Sequence, residues 1–173
     1  MGPRLLTIPT AKVLPIVSLL LVAFMSVQAQ SAEDKGKGNP FDQLKGDWTG
    51  GGMVTPAKGG TKKVTCKVTY NVAGSTTTQN MVCDGDDYQL EAKTKFKYTG
   101  GKISGSWNEV VYDATGNISG TAAGDTVHAR ISGDKFSGRM SIVVSDARHT
   151  INIIQLDPKT NVYREAAAVV LRR

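Results

Sequence analysis

The chain has 173 residues, with 21 Lys and Arg against 15 Asp and Glu, two cysteines and 6% aromatic residues. That length allows a single domain with a modest core. These values argue against a multidomain enzyme, a coiled coil and a disordered chain.

Residues 1–29 have the pattern of a secretory signal peptide. Arg4 and Lys12 are the only charges in this segment, an apolar run over Val13–Met25 follows them, and the segment ends in a small-x-small pattern at Val27 and Ala29. The apolar run is shorter than the roughly 20 residues of a spanning helix. We therefore predict cleavage near Ala29 and a periplasmic or secreted protein. The remaining chain has a net charge of +4 (19 basic minus 15 acidic residues), which argues against a nucleic-acid partner.

Residues 30–39 are predicted to form a flexible tether, and residues 40–173 a single domain. Asn39 offers a helix N-cap, Pro40 a first helical position and Gly46 a stop. We expect one short helical turn here, with Phe41 and Leu44 on the side that faces the domain.

From Asp47 onward, apolar and polar residues alternate with a period of two. The pattern is clearest in residues 63–72, 88–98 and 136–144, and turn sequences rich in Gly, Asp and Asn separate the segments. Residues 162–173 fit either a helix or a strand, and we choose a strand because the last strand of a barrel pairs with the first. The prediction is an all-β fold: a single antiparallel up-and-down β-barrel of about eight to ten strands.

The two cysteines test the register of one predicted hairpin. If residues 73–76 form the turn, Cys66 falls directly opposite Cys83. Directly opposite residues in an antiparallel pair lie close enough for a disulfide. The turn and the cysteine spacing agree on one register, so we predict a structural disulfide between Cys66 and Cys83.

The start of the first strand reads Gly46-Asp47-Trp48, after a short helical turn. A Gly-x-Trp at this place resembles the calycin-type barrels, which include lipocalins, avidins and fatty-acid-binding proteins. The resemblance implies that Trp48 plugs one end of the barrel and that Arg172 or Arg173 stacks near it. Haem-binding barrels of this group use a histidine near the final strand, which residues 162–173 lack, so we expect no cofactor.

Alternation places several large side chains on the inner face, where they would line a ligand site: Tyr70, Phe96, Tyr98, Trp107, Met140 and Ile142. Counting by twos from Ile103 also places Glu109 inward, where its carboxylate would meet a polar group of a ligand. A β-bulge near Asn108 would instead turn Glu109 outward, and the apparent change of parity after it favours the bulge.

The sequence offers no motif for metal binding or catalysis. His128 alternates with apolar residues and is predicted to face outward, whereas His149 shares parity with inward residues but has no second ligand nearby. Asp84-Gly85-Asp86-Asp87 is better explained as an acidic hairpin turn than as a calcium site. We expect neither a bound metal nor an enzyme.

A set of lysines is predicted to face outward from the barrel: Lys63, Lys67, Lys93, Lys95 and Lys97. An outer face that carries these lysines cannot contact the hydrocarbon core of a bilayer, so we do not expect a membrane-embedded barrel. The leading functional hypothesis is an exported soluble barrel that binds a small, mainly apolar ligand in its interior. The alternative is a packed barrel that binds a protein partner, for example as an inhibitor of a secreted protease, or that contacts an anionic envelope surface through these lysines.

Overall fold

The structure is a computed structural model that describes Gly2 and residues 39–57 and 59–173. The predicted signal peptide and the predicted tether lie outside the described residues, apart from Gly2 and Asn39. Within the described part, no helix has the length and the apolar character that crossing a bilayer requires.

A 3-10 helix, Pro40–Leu44, precedes ten strands that account for most of the domain. Most of the strands coincide with segments in which apolar and polar residues alternate. The strands are β1 (Gly46–Val54), β2 (Lys62–Ala73), β3 (Thr76–Gly85), β4 (Tyr88–Thr99), β5 (Lys102–Glu109), β6 (Ala114–Ala123), β7 (Thr126–Gly133), β8 (Ser137–Ser145), β9 (Arg148–Leu156) and β10 (Tyr163–Arg172).

The ten strands form one closed antiparallel barrel in which each strand pairs with its sequence neighbours and β1 pairs with β10. The predicted all-β barrel, its number of strands and the strand assignment of the C-terminal segment are thus confirmed. β10 carries a register shift between Glu165 and Ala167, so its alternation of inward and outward residues is interrupted there.

Glycines in β1 allow the first and last strands to meet closely. A Cβ at Gly50 would lie 2.1 Å from the carbonyl oxygen of Val170, and a Cβ at Gly52 would lie 1.9 Å from that of Ala168. No side chain fits at such distances, so Gly50 and Gly52 are a condition for the β1–β10 pairing.

The barrel has two different ends. The 3-10 helix and the turns after β2, β4, β6 and β8 lie at one end, which we call the closed end. The turns after β1, β3, β5, β7 and β9 lie at the other, the open end.

The 3-10 helix covers the closed end with apolar side chains. Asn39 caps the helix by accepting a hydrogen bond from the backbone N–H of Phe41 (3.1 Å). Phe41 and Leu44 are fully buried. The ring of Phe41 stacks on that of Phe96 at 5.4 Å between centroids, which fixes the helix against the interior of β4.

The disulfide joins β2 and β3 in the predicted register. Cys66 pairs with Cys83, and the same ladder pairs Val72 with Thr77 and Ala73 with Thr76 across the turn. Both cysteines are buried on the inner face. The bond therefore links two strands that are already neighbours, and it closes a loop of 17 residues in sequence.

We expect the double substitution Cys66→Ser and Cys83→Ser to lower the free energy of unfolding by about 3 kcal/mol, because a loop of this size loses its constraint in the unfolded chain. Urea unfolding of the variant and the parent measures the difference. Reduction of the parent should produce the same loss. A parent whose midpoint does not respond to reductant would contradict a stabilising role for the bond.

Candidate functional site

The open end leads into a cavity of about 680 Å³. The inner faces of nine strands and the turns at the open end form its wall, and β2 contributes only Lys62. Most of the lining side chains are apolar. They include Val54, Met81, Leu90, Ala92, Ile118, Ile131, Phe136, Ile151, Ile153 and Val169.

The residues predicted to line a ligand site divide between this wall and the closed end. Phe96, Trp107, Met140 and Glu109 lie on the cavity wall. Tyr70, Tyr98 and Ile142 also point into the barrel, but they belong to the packed core at the closed end. Alternation decides which face a residue occupies, whereas the depth along the barrel axis depends on how neighbouring strands are staggered.

Trp107 lies flat on the inner wall because two neighbouring strands carry glycine where they pass beneath it. A Cβ at Gly116 would lie 2.7 Å from the indole Nε1, and a Cβ at Gly133 would lie 2.6 Å from Cζ2. Gly116 pairs with Trp107 on one side and with Gly133 on the other. Phe136 meets the indole edge to face at 6.3 Å, and together these aromatic rings form one side of the cavity.

Glu109 faces inward, and only 7% of its surface is exposed. The bulge predicted near Asn108 is wrong: β5 pairs with β4 and β6 without a register shift, and Glu109 lies between Ala92 and Ala114. The inward–outward alternation breaks after Glu109 because the strand ends there and the turn begins at Val110.

The carboxylate of Glu109 is bound by backbone N–H groups. Its Oε1 accepts hydrogen bonds from Glu91 (3.0 Å) and Val111 (3.2 Å), and its Oε2 accepts one from Tyr112 (2.6 Å). On the other side of the same turn, Lys135 donates through Nζ to the carbonyl oxygens of Tyr112 (3.0 Å) and Asp113 (2.7 Å). The β5–β6 turn is thus held from both sides and forms a rigid part of the rim.

Two tyrosines stand at the mouth of the cavity. The rings of Tyr88 and Tyr112 stack with their centroids 6.1 Å apart. Burial is the main reason why the pKa of Tyr88 is raised to about 12, and the neighbouring Tyr112 and Glu109 raise it further. The phenol is therefore neutral at physiological pH. Next to them, Lys62 and Asp87 form an ion pair of 2.5 Å across the entrance.

Polar groups are sparse deeper in the cavity. Gln79 lies on the wall and donates from its amide nitrogen to the hydroxyl of Tyr70 at 3.0 Å. Burial raises the pKa of Tyr70 well above its ordinary value. The Gln79–Tyr70 pair therefore joins the floor of the cavity to the closed end with a neutral hydrogen bond.

The closed end is packed around Trp48. Its indole is fully buried, and Nε1 donates to the carbonyl oxygen of Leu44 at 2.6 Å. The guanidinium carbon of Arg173 lies 4.7 Å from the centre of the indole ring, at a distance typical of a cation–π contact. Of the two arginines at the C-terminus, Arg173 is thus the one over the ring.

His149 is fully buried next to this plug. Its ring makes edge-to-face contacts with Trp48 (4.7 Å) and Tyr70 (5.5 Å), and neither ring nitrogen has a hydrogen-bond partner among the described residues. Burial lowers the pKa of His149 to about 4, since charging the ring without a partner is costly. His128, by contrast, is exposed on the outer face. Within the described residues, no three His, Cys, Asp or Glu side chains come together as a metal site.

The outward lysines of the sequence analysis are all exposed, but they do not form one strip. Lys63 and Lys67 lie on β2, whereas Lys93, Lys95 and Lys97 lie on β4, and β3 runs between the two groups. The residue of β3 beside Lys67 is the apolar Val82, which in turn pairs with Glu91 of β4.

Comparisons with known proteins identify the fold alone. No protein-family model matches this chain, and no curated protein matches it. The solved structure of Rv2717c from M. tuberculosis is similar with a TM-score of 0.65 and 13% identity, covering 78% of this chain and 96% of that one. The S-type phycobiliprotein lyase CPES from Guillardia theta is similar with a TM-score of 0.54 and 11% identity, covering 77% of this chain and 89% of that one. The chain thus shares its antiparallel barrel with both.

We expect Glu109→Gln to lower the free energy of unfolding by about 1–3 kcal/mol, because an amide nitrogen in place of Oε2 cannot accept from Tyr112. Urea unfolding measures the loss, and amide hydrogen exchange should quicken at Val111 and Tyr112. The matched control is Glu165→Gln at an exposed position, which should change stability by less than about 0.5 kcal/mol. Equal effects of the two substitutions would contradict the role assigned to Glu109.

We expect His149 to make the protein less stable in acid. The unfolded chain binds a proton at His149 below about pH 6.5, whereas the folded protein does so only near pH 4. The free energy of unfolding is therefore highest above pH 6.5, and protonation of His149 lowers it by about 3 kcal/mol in total as the pH falls towards 4.

Urea unfolding of His149→Leu between pH 7 and 4 measures this contribution, because leucine has a similar volume and does not titrate. The variant should lose less stability than the parent over this range. The control His128→Leu removes an exposed histidine and should retain the pH dependence of the parent. Parallel curves for the parent and His149→Leu would show that His149 does not carry the effect.

Proposed function

We propose that this protein is exported and that its barrel binds a small, mainly apolar molecule in the open-end cavity. The observation that carries the proposal is the cavity itself. About 680 Å³ of space behind a mainly apolar wall lies within the range of small-molecule sites, and the charged side chains of this wall lie at the rim and the entrance. The runner-up function, a protein-interaction module with a packed interior, is less consistent with a space of this size.

The polar groups at the cavity support binding rather than catalysis. Three backbone N–H groups bind the carboxylate of Glu109, and two carbonyl oxygens bind the ammonium of Lys135, so both groups are held in the rim. A general acid or base must be placed to exchange a proton with the substrate, whereas these two groups serve mainly to order the β5–β6 turn. We therefore propose a carrier or receptor of the calycin type rather than an enzyme.

The disulfide and the N-terminal sequence both support export. Disulfides persist in oxidising compartments such as the periplasm and the extracellular space, and Cys66 and Cys83 lie opposite each other in the barrel wall. Residues 1–29 have the composition of a signal peptide. We propose that the domain acts after removal of this segment.

Titration with N-phenyl-1-naphthylamine tests the binding proposal, because this neutral apolar dye brightens when it leaves water. We expect saturable binding by the parent and at least tenfold weaker binding by Ala92→Phe, which places a ring in the cavity. The control Ala123→Phe places the same ring at an exposed position of β6 and should stay within twofold of the parent. Native mass spectrometry of protein purified without detergent would reveal a natural ligand that remains bound.

Failure of the parent to bind the dye or any co-purified molecule would contradict the proposed cavity site. Equal dye binding by both phenylalanine variants would contradict it too, since it would place the dye on the outer surface. Thermal unfolding of each variant shows whether the fold is retained.

A further inference from the structure

The outer wall of the barrel carries a second concave site, distinct from the cavity. A groove of about 590 Å³ runs across β3, β4, β5 and β6. Its outward side chains are polar: Thr78, Asn80, Lys93, Lys95, Ser106, Asn108, Thr115 and Asn117. The indole of Trp107, whose residue also borders the groove, lies on the inner face over Gly116 and Gly133.

The strand register orders these side chains into two rows. Lys95, Ser106 and Asn117 lie opposite one another on β4, β5 and β6. Lys93 and Asn108 lie side by side in the next row. Rows on one face of a strand are about 7 Å apart, and neighbouring strands are about 4.8 Å apart. The short serine on β5 therefore forms a floor, and the two long lysines on β4 form a raised cationic side.

Cations outnumber carboxylates on the outer faces of β4 to β8, while Asp84 lies on the outer face of β3 and Asp134 accepts a hydrogen bond from the backbone N–H of Thr115 at 3.4 Å. The outward positions of β4 to β8 carry six exposed cations, and Glu91 is the one outward carboxylate within these five strands. Lys93 pairs with Glu91 at 3.0 Å. Among the described residues, Lys95 has no carboxylate partner within ion-pair distance. The six cations are Lys93, Lys95, Lys97, Lys102, Arg130 and Arg139.

We propose that this groove binds a segment of an acidic polysaccharide. Lys95 attracts the carboxylate or sulfate group of one sugar, and Lys93, which shares its charge with Glu91, adds a second cation for the next sugar. The amides of Asn108 and Asn117 and the hydroxyl of Ser106 offer both donors and acceptors, which match the hydroxyl groups of a sugar ring. Because these residues lie on a closed sheet, their backbone positions are fixed before the ligand arrives.

The same features disfavour other anionic partners. An acidic peptide cannot add to the barrel as a strand, because the closed sheet has no free edge. Single-stranded nucleic acid gains much of its affinity from bases stacked on aromatic rings, and none of the described residues that border the groove points an aromatic ring outward. A flat bilayer would touch the protruding lysines but would not reach Ser106 at the floor.

The test is a titration of the purified protein with a hexasaccharide of guluronate, the acidic sugar of alginate. Amide chemical shifts in NMR spectra report the binding. Maltohexaose, a neutral chain of the same length, is the comparison ligand. We expect saturable shifts at residues 78–80, 93–95, 106–108 and 115–117 with the acidic hexasaccharide, and at least tenfold weaker binding of maltohexaose.

Two pairs of variants separate groove binding from general charge attraction. The double substitution Lys93→Gln and Lys95→Gln should weaken binding of the guluronate hexasaccharide at least tenfold. The control double substitution Lys63→Gln and Lys67→Gln removes the same charge from β2 and should change binding less than twofold. Ser106→Leu fills the floor without altering charge and should also weaken binding. Ala92→Phe, inside the cavity, should leave it unchanged.

Several results would overturn the proposal. Equal losses from the two lysine pairs would show attraction to charge alone. Tighter binding of an oligothymidylate or of phosphatidylglycerol vesicles at the groove would assign it to a different class of partner. An absence of shifts with millimolar hexasaccharide would remove the site altogether.

Discussion

The pairing of β1 with β10 closes the barrel, and the other features of the structure depend on it. Closure gives every strand two neighbours, so no edge is exposed and each strand has one inner and one outer face. The glycines at 50 and 52 make it possible, because the backbone of β10 occupies the space that side chains would need. Once the ring is closed, alternation along each strand sorts apolar residues into the interior and charged residues onto the outer wall.

The closed and open ends differ because large side chains are concentrated at one of them. Trp48, Tyr70, Phe41 and His149 fill the closed end, and the 3-10 helix covers it. Towards the open end, small inward side chains such as those of Ala92 and Ala114 line the wall, and the space left beside them is the cavity. The interior is therefore packed at one end and hollow at the other.

Inner and outer faces of the same strands thus offer different chemistry. On β4 to β6, the inner residues Phe96, Trp107 and Ile118 form apolar wall, while the outer residues Lys95, Ser106 and Asn117 form a polar groove. The cavity and the groove lie on opposite faces of one sheet, and only Thr94 and Trp107 border both.

Local sequence determined the period-two pattern, the positions of the turns, the Cys66–Cys83 register and the inward faces of Phe96, Trp107 and Met140. These properties follow from the geometry of a single strand or hairpin, in which alternation and turn chemistry act between near neighbours. The tertiary structure decided what depends on distant strands: the depth of Tyr70 and Ile142 in the closed end, the inward Glu109 bound by three N–H groups, and the contribution of Tyr112 and Lys135 to the rim. It also brought Asn108 and Asn117 beside Lys93 and Lys95, because strand stagger and ring closure set positions along and around the barrel that no single segment specifies.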